Sequence, residues 1–322
     1  MQKIYFGAPG TGKSYEIDRI LKSVGDDCIF RATFFNDYSY FDFIGQILPK
    51  VVPNSSGTGT TITYEFSKGI FTQALEKAYS DLSQDVYLIL EEMSRGDSAA
   101  IFGDIFQLLD RENQGMNSGY SKYFVNNELI SKDIVVLKGS KVKLPPNFHI
   151  LGTMNTSDQN VNVIDTAFKR RFDFVYVDVS PKYELIDPSV PDTFTNRHYL
   201  NSFTFNLGQH SFEWNKFYMT INKFIVERLG LPEDKQLGQY FVQFTSPNSN
   251  VNFDIIKNKV LNYLWNDVES IKYTEESLFC NSNDLDAKIN SFSKLYNRFD
   301  PNTQADEVFS REFLELYQSI II

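Results

Sequence analysis

Gly7-Ala8-Pro9-Gly10-Thr11-Gly12-Lys13-Ser14 is the stretch from which the fold is read. It fits G-x-x-x-x-G-K-[ST] in the context that pattern requires: the apolar run Ile4, Tyr5 and Phe6 precedes it, and Ile17, Ile20 and Leu21 follow at helical spacing. A strand, a glycine-rich loop and a helix in this order form a phosphate cradle. Gly7, Pro9, Gly10, Thr11 and Gly12 are the candidate nucleotide-binding residues of the loop, whose glycines let backbone N–H groups converge on the β- and γ-phosphates. Lys13 neutralises charge, and the Ser14 hydroxyl is placed to ligate Mg²⁺ at a helix N-terminus whose dipole favours anions.

A phosphate cradle needs an acidic partner at the end of a neighbouring strand. Val86-Tyr87-Leu88-Ile89-Leu90 is continuously apolar, as a strand covered on both faces must be, and it ends in Glu91-Glu92. Glu91 is the candidate for holding the Mg²⁺ water shell and Glu92 for polarising the attacking water. The next buried run, Phe148 to Met154, leads into Asn155, whose amide both donates and accepts and so could orient that water. Lys169-Arg170-Arg171 close the following helix. Arg170 and Arg171 are read as interface arginines reaching a neighbour's γ-phosphate, against the plainer reading of charge compensation at a helix C-terminus.

The rest of the chain supports this frame. A β-rich run from Cys28 to Phe35 leads into the aromatic stretch Tyr38 to Ile44, then into a Pro/Ser/Gly/Thr segment, Pro49 to Thr63, that reads as a surface loop. Helical spacing resumes over Phe66 to Ala78 and again over Ser98 to Arg111. Residues 113–143, rich in Gly, Ser and Asn, predict a hairpin insertion. Its Lys122, Lys132, Lys138, Lys141 and Lys143 interleave with Tyr120, Tyr123 and Phe124, a pattern suited to a strand or partner chain in a pore, or to an exposed solubilising loop. A helix to about Arg171 and a strand from Phe172 to Val179 complete an alternating pattern, which predicts a parallel sheet with helices on both faces over residues 1–180. After Ser180-Pro181 the pattern turns mainly helical, with helices expected at Trp214 to Leu229, Phe253 to Val268 and Phe309 to Ile322.

Composition sets the outer bounds. Of 322 residues, 42% are apolar and 15% aromatic, enough to bury a full core, so bulk disorder is excluded. Acidic residues outnumber basic ones, 41 to 31, for a net charge of −10, so contact with nucleic acid must be local or delegated to a partner. No apolar run is long enough to span a bilayer and no signal-peptide layout is present, which predicts a cytoplasmic protein with no membrane contact. Cys28 and Cys280 have no metal-site spacing, and no disulfide is expected.

Taken together, these segments resemble the AAA+ superfamily and, more narrowly, the McrB family, the GTP-dependent motor subunit of the modification-dependent restriction system McrBC. The resemblance rests on Gly7 to Ser14, Tyr38 to Ile44, Glu91-Glu92-Met93-Ser94-Arg95-Gly96-Asp97 with Ile101 to Asp104, Gly152-Thr153-Met154-Asn155-Thr156-Ser157-Asp158, and Lys169 to Phe172. Beyond residue 180 the match is thin, with Leu237-Gly238-Gln239-Tyr240-Phe241 and Leu264-Trp265 similar to stretches of the family's lid. The resemblance implies an α/β P-loop AAA+ core followed by a helical lid at 181–322. It also implies a homo-oligomeric ring, a hexamer in the family, with hydrolysis at subunit interfaces, a McrC-like nuclease partner, and DNA engaged through the partner complex. GTP or ATP is the expected substrate with Mg²⁺.

Departures are visible too: Gln159 follows Asp158 where the family often has Arg, and Ser94 stands where Asn is common. The sequence as given opens on the P-loop strand, so target recognition is expected on another subunit. Two other classes compete: a protein-remodelling chaperone or nucleotide-dependent switch, and a monomeric P-loop kinase. The kinase would have no use for Asn155 and the Arg170-Arg171 pair in these places.

Overall fold

The computed structural model describes residues 1–53, 59–138, 141–156, 162, 164–245, 248–282, 284 and 286–321. Ser157, Asp158 and Gln159 of the sensor string, the middle of the stretch expected as a surface loop, residues 139 and 140 of the expected insertion, and Ile322 lie outside them. Contacts divide the chain into two units, Met1–Phe6 with Ser14–Tyr176, and Gly7–Lys13 with Val177–Ile322.

In the first unit the apolar runs become strands. These are β1 (Gln2–Gly7), β2 (Ile29–Thr33), β5 (Val86–Glu91), β6 (Phe148–Asn155) and β7 (Asp173–Tyr176), which form a five-stranded sheet in the order β2-β5-β6-β1-β7. The pairs β2·β5, β5·β6 and β1·β7 are parallel. Val86, Leu88, Ile89 and Leu90 are wholly buried, as expected of a strand covered on both faces. Flanking helices include α1 (Lys13–Leu21), α2 (Tyr40–Ile44), α3 (Ile70–Ser80), α4 (Ser98–Phe102), α5 (Glu128–Asp133) and α6 (Thr166–Arg171). The helix expected over Ser98 to Arg111 stops at Phe102, because Gly103 turns to φ +48°, and a 3₁₀ stretch, Gly103–Leu109, continues the chain.

Two expectations are corrected. The segment read as a surface loop forms much of an antiparallel ribbon, β3 (Gly45–Pro53) with β4 (Thr60–Lys68), in which Val51 opposes Ile62 and Pro49 opposes Tyr64. Conversely, the described residues of 113–143 form no hairpin strands. Isolated bridges join Arg111 to Ser121 and Val125 to Val142, while α5 and a 3₁₀ turn, Val135–Leu137, occupy the middle. The reason is the buried trio Ile130, Ile134 and Leu137, spaced for a helix rather than a strand, together with Asn127, whose side chain caps the Ile130 N–H. The interleaved lysines lie close to neighbouring groups: Lys141 sits 3.9 Å from the Phe124 ring centroid, and Lys132 pairs with Glu128 at 2.6 Å.

The second unit contains β8 (Tyr183–Leu185) paired with β9 (Arg197–Tyr199), β10 (Thr204–Leu207) paired with β11 (His210–Glu213), and α7 (Trp214–Glu227). Its core is aromatic. Phe217 meets Phe205, Phe309 and Phe313 edge-on at centroid distances of 5.2, 5.6 and 5.8 Å. The helix α8 (Ser249–Ile255) runs on through π-type turns at Ile256–Val260 and Leu264–Val268, and a last helix spans Arg311–Ser319. Cys28 and Cys280 are free thiols. No helix among the described residues is long and apolar enough to cross a membrane.

One side chain staples the first unit. Arg111 donates to the carbonyls of Gly119, Leu144, Pro145 and Phe148 and to Gln2 Oε1, all within 3.2 Å. Burial pushes its guanidinium down to about 10. Arg111→Ala is expected to destabilise the fold by about 3 kcal/mol, because carbonyls lose a buried donor that water cannot replace. Urea unfolding followed by circular dichroism checks this, and a change under about 0.5 kcal/mol would show the staple to be dispensable.

Candidate functional site

In the first unit the candidate residues meet at the carboxyl ends of the adjacent strands β5 and β6. Ser14, at the start of α1, brings its hydroxyl within 3.4 Å of Glu91 Oε2. The same oxygen accepts a 2.6 Å hydrogen bond from the Thr153 hydroxyl, and Glu91 Oε1 accepts from Arg31 on β2 at 3.1 Å. A second nitrogen of Arg31 reaches Asp18. Glu91 is thus shared among a hydroxyl pair and a cation.

Glu92, the next residue, faces a different set of groups. Its backbone steps into the left-handed region at φ 56°, ψ 43°, uncommon for a residue with a side chain, and its N–H donates to Thr153 Oγ1 at 3.2 Å. The carboxylate then receives Asn155 Nδ2 on both oxygens, at 3.2 and 3.1 Å, and Arg95 Nε on Oε2 at 3.1 Å. Without that break, consecutive acids would follow the alternation of the strand. With it, Glu92 leaves that alternation, and each carboxylate keeps its own donors, Glu91 the Thr153 hydroxyl and Arg31, Glu92 Asn155 and Arg95.

The buried hydroxyl of Thr153 serves both: it donates to Glu91 and accepts from the Glu92 backbone. Residue-type reasoning passed over it because a Thr inside an apolar run is an ordinary strand former. Arg31 was likewise hidden in the β2 run. Arg95 carried part of the family resemblance and here gains a contact.

The glycine-rich loop belongs to the second unit. Gly10 and Gly12 have φ +78° and +92°, which side chains rarely adopt. Lys13 is buried and folds its amine back onto the carbonyls of Gly7 and Ala8 at 3.1 and 2.8 Å, while the Thr11 hydroxyl also donates to Ala8. Pro9 contributes a carbonyl that accepts from the Gly238 N–H.

The two terminal arginines of α6 part company. Arg171 is held inside the first unit by Asp110 at 2.6 Å, by the Phe106 ring with its guanidinium carbon 4.2 Å from the centroid, and by the Ala167 carbonyl; its side chain is 11% exposed. That placement does not suit a residue reaching into a neighbour. Arg170 is exposed, with no hydrogen-bond or ion-pair partner among the described residues.

A glycine-rich loop ending in a buried lysine in the second unit, and in the first a parallel sheet whose strands end in acids and an amide, are the parts of a P-loop nucleoside triphosphatase. The profile of the AAA domain (dynein-related subfamily) matches residues 4–172, and the chain belongs to that family as a McrB-like AAA+ NTPase. Two characterised relatives place it further. The chain is 34% identical over 330 residues to the type II restriction enzyme BsuMI component YdiS of Bacillus subtilis, covering 96% of this chain and 87% of that protein. It is 26% identical over 214 residues to the type IV methyl-directed restriction enzyme EcoKMcrB subunit of Escherichia coli, covering 65% of this chain and 41% of that one.

The shared hydroxyl is open to a direct test. Thr153→Val keeps the shape and removes both hydrogen bonds, at a cost of about 1–2 kcal/mol to the aim of the carboxylates, so kcat should fall about tenfold while Thr153→Ser stays near wild type. Steady-state phosphate release measures this, and equal rates for the Val and Ser variants would remove Thr153 from the site.

Proposed function

We propose that this protein is the nucleotide-driven motor of a restriction complex. In this reading, residues 1–180 form the nucleotide-binding core and 181–322 its helical lid, and the chain hydrolyses GTP or ATP as a homo-oligomeric ring beside a McrC-like nuclease subunit. The observation that carries the reading is the separate aiming of two adjacent carboxylates, Glu91 toward Ser14 and Glu92 toward Asn155. Hydrolysis needs that division of labour. One carboxylate must stay with the cation and the other must take a proton from water.

The Ser14 hydroxyl and a Glu91 oxygen share one locus and are both hard oxygen donors, which fits a Mg²⁺ ion that keeps several waters. Once bound, the ion neutralises charge on the phosphate oxygens. The chain's own groups do the rest. Lys13 and the loop N–H groups hold the phosphates, Glu92 accepts the proton of the attacking water, and the Asn155 amide orients both Glu92 and that water. Arg170 takes the interface role alone, reaching a neighbouring subunit's phosphate. Kinship with restriction-system components supports the partner complex, and the net charge of −10 favours DNA contact delegated to that partner.

Glu92→Gln should bind nucleotide with wild-type affinity and lower turnover by about 10² or more, whereas Lys13→Ala should lose binding itself. Wild-type turnover by Glu92→Gln would overturn the assignment. Light scattering with Mg²⁺ and slowly hydrolysed analogues of GTP and ATP tests assembly and base together: a species several times the chain's mass with one analogue supports the ring and names the base. A monomer with both, even with DNA and the nuclease partner present, favours the remodelling switch.

A further inference from the structure

The P-loop pattern demands glycine at positions 7 and 12 but leaves position 10 free, so Gly10 needs another explanation. It lies in the same unit as Leu237-Gly238-Gln239-Tyr240-Phe241. The Gly238 N–H donates to the Pro9 carbonyl at 2.9 Å, and the Tyr240 N–H donates to the Gly10 carbonyl at 2.8 Å. The approach leaves no room for a side chain on either partner. A Cβ on Gly10 would meet the Phe241 nitrogen at 2.3 Å, and a Cβ on Gly238 would meet both the Gly10 carbonyl carbon and the Thr11 nitrogen at 2.2 Å.

A trans peptide carries its C=O and N–H on opposite sides. Turning the carbonyls of Pro9 and Gly10 toward 238–240 therefore turns the N–H groups of Gly10 and Thr11 the other way. Successive N–H groups facing one way form the concavity that binds phosphate.

The segment is itself held firmly. Asn222 of α7, fully buried, donates to the Leu237 carbonyl and accepts from the Leu237 N–H, both at 2.7 Å. Trp214 Nε1 and Asn201 Nδ2 donate to the Gln239 carbonyl at 2.9 and 2.7 Å. The Gln239 side chain bonds the Lys182 backbone in both directions, at 2.7 and 3.1 Å.

We propose that residues 237–241 are a backbone template that presets the phosphate loop for a nucleoside triphosphate and links its occupancy to α7, with Gly238 as the positioning residue. This rests on the reading of the loop as the phosphate site given above. Gly238 acts through the Gly10 and Thr11 N–H groups, so its effect falls on nucleotide binding, whereas the water-activating step belongs to Glu92 and Asn155.

The test uses the full chain, Mg²⁺ and fluorescent analogues of GTP and ATP. Gly238→Ala, folded by circular dichroism, should weaken nucleotide binding at least tenfold and raise KM in step, while kcat at saturation changes less than threefold. Asn155→Ala should show the reverse split. Hydrogen exchange on the unmutated protein supplies a second readout: amides of 237–241 should exchange more slowly when nucleotide is bound, and a folded Asn222→Ala should reduce that protection. A folded Gly238→Ala with wild-type affinity, or exchange at 237–241 indifferent to nucleotide, overturns the template while leaving the phosphate site intact. If the unmutated protein binds neither analogue, the functional reading fails and the template fails with it.

Discussion

A loop that turns its N–H groups toward an anion must find donors elsewhere for its carbonyls, and this requirement organises much of the second unit. Gly7 and Ala8 give their oxygens to the Lys13 amine, and Ala8 also accepts from Thr11. Pro9 and Gly10 give theirs to the backbone at Gly238 and Tyr240. Each bond answers a buried polar group that would otherwise cost about 1–3 kcal/mol. The loop conformation is therefore held by donors within its own unit, and on the proposed reading it is preset before any phosphate arrives. Preorganisation of this kind leaves more of the interaction free energy for affinity.

The first unit meets a different constraint. Two adjacent carboxylates are held by separate sets of donors. A regular strand would have sent Glu91 and Glu92 to opposite faces of the sheet, one of them away from Ser14 or from Asn155. The left-handed step at Glu92 avoids this, and the Thr153 hydroxyl on the neighbouring strand supports that step from below. Backbone strain at one residue is sustained because β5 and β6 are locked in parallel register from Val86 with Phe148 to Leu90 with Gly152. The sheet thus fixes the aim of the two carboxylates as well as carrying them.

The sequence was most legible where one residue type has one job. The continuous apolar run Val86 to Leu90, bounded by acids, reads as a strand covered on both faces and is one. Legibility failed where local chemistry pointed both ways. Pro49, Pro53 and the Gly/Ser/Thr stretch between the strands looked like a loop, although the alternation of Ile47, Val51, Ile62 and Tyr64 belongs to a ribbon. Gly, Ser and Asn in 113–143 looked like hairpin turns, although Ile130, Ile134 and Leu137 carry helical spacing. Thr153 and Gly238 stand in segments that carry the family resemblance, but their roles were illegible for a deeper reason. Each matters through a partner distant in sequence, Thr153 through Glu91 and Gly238 through Gly10, and no local pattern records such a pairing.

Arg170 and Arg171 show the same limit at the scale of one bond. Neighbours on a helix are about 100° apart around the axis, so two identical side chains in succession sample different surroundings. Phe168, three residues before Arg171, is buried against Phe106 at 4.6 Å, and this places Arg171 over the same Phe106 ring with Asp110 as its counter-ion. Arg170 falls on the outward side, where nothing described competes for its charge. An arginine already bound by an acid and a ring must break both contacts before it can serve a phosphate. An exposed one loses mainly water, so in the proposed ring the role of reaching another subunit falls to Arg170.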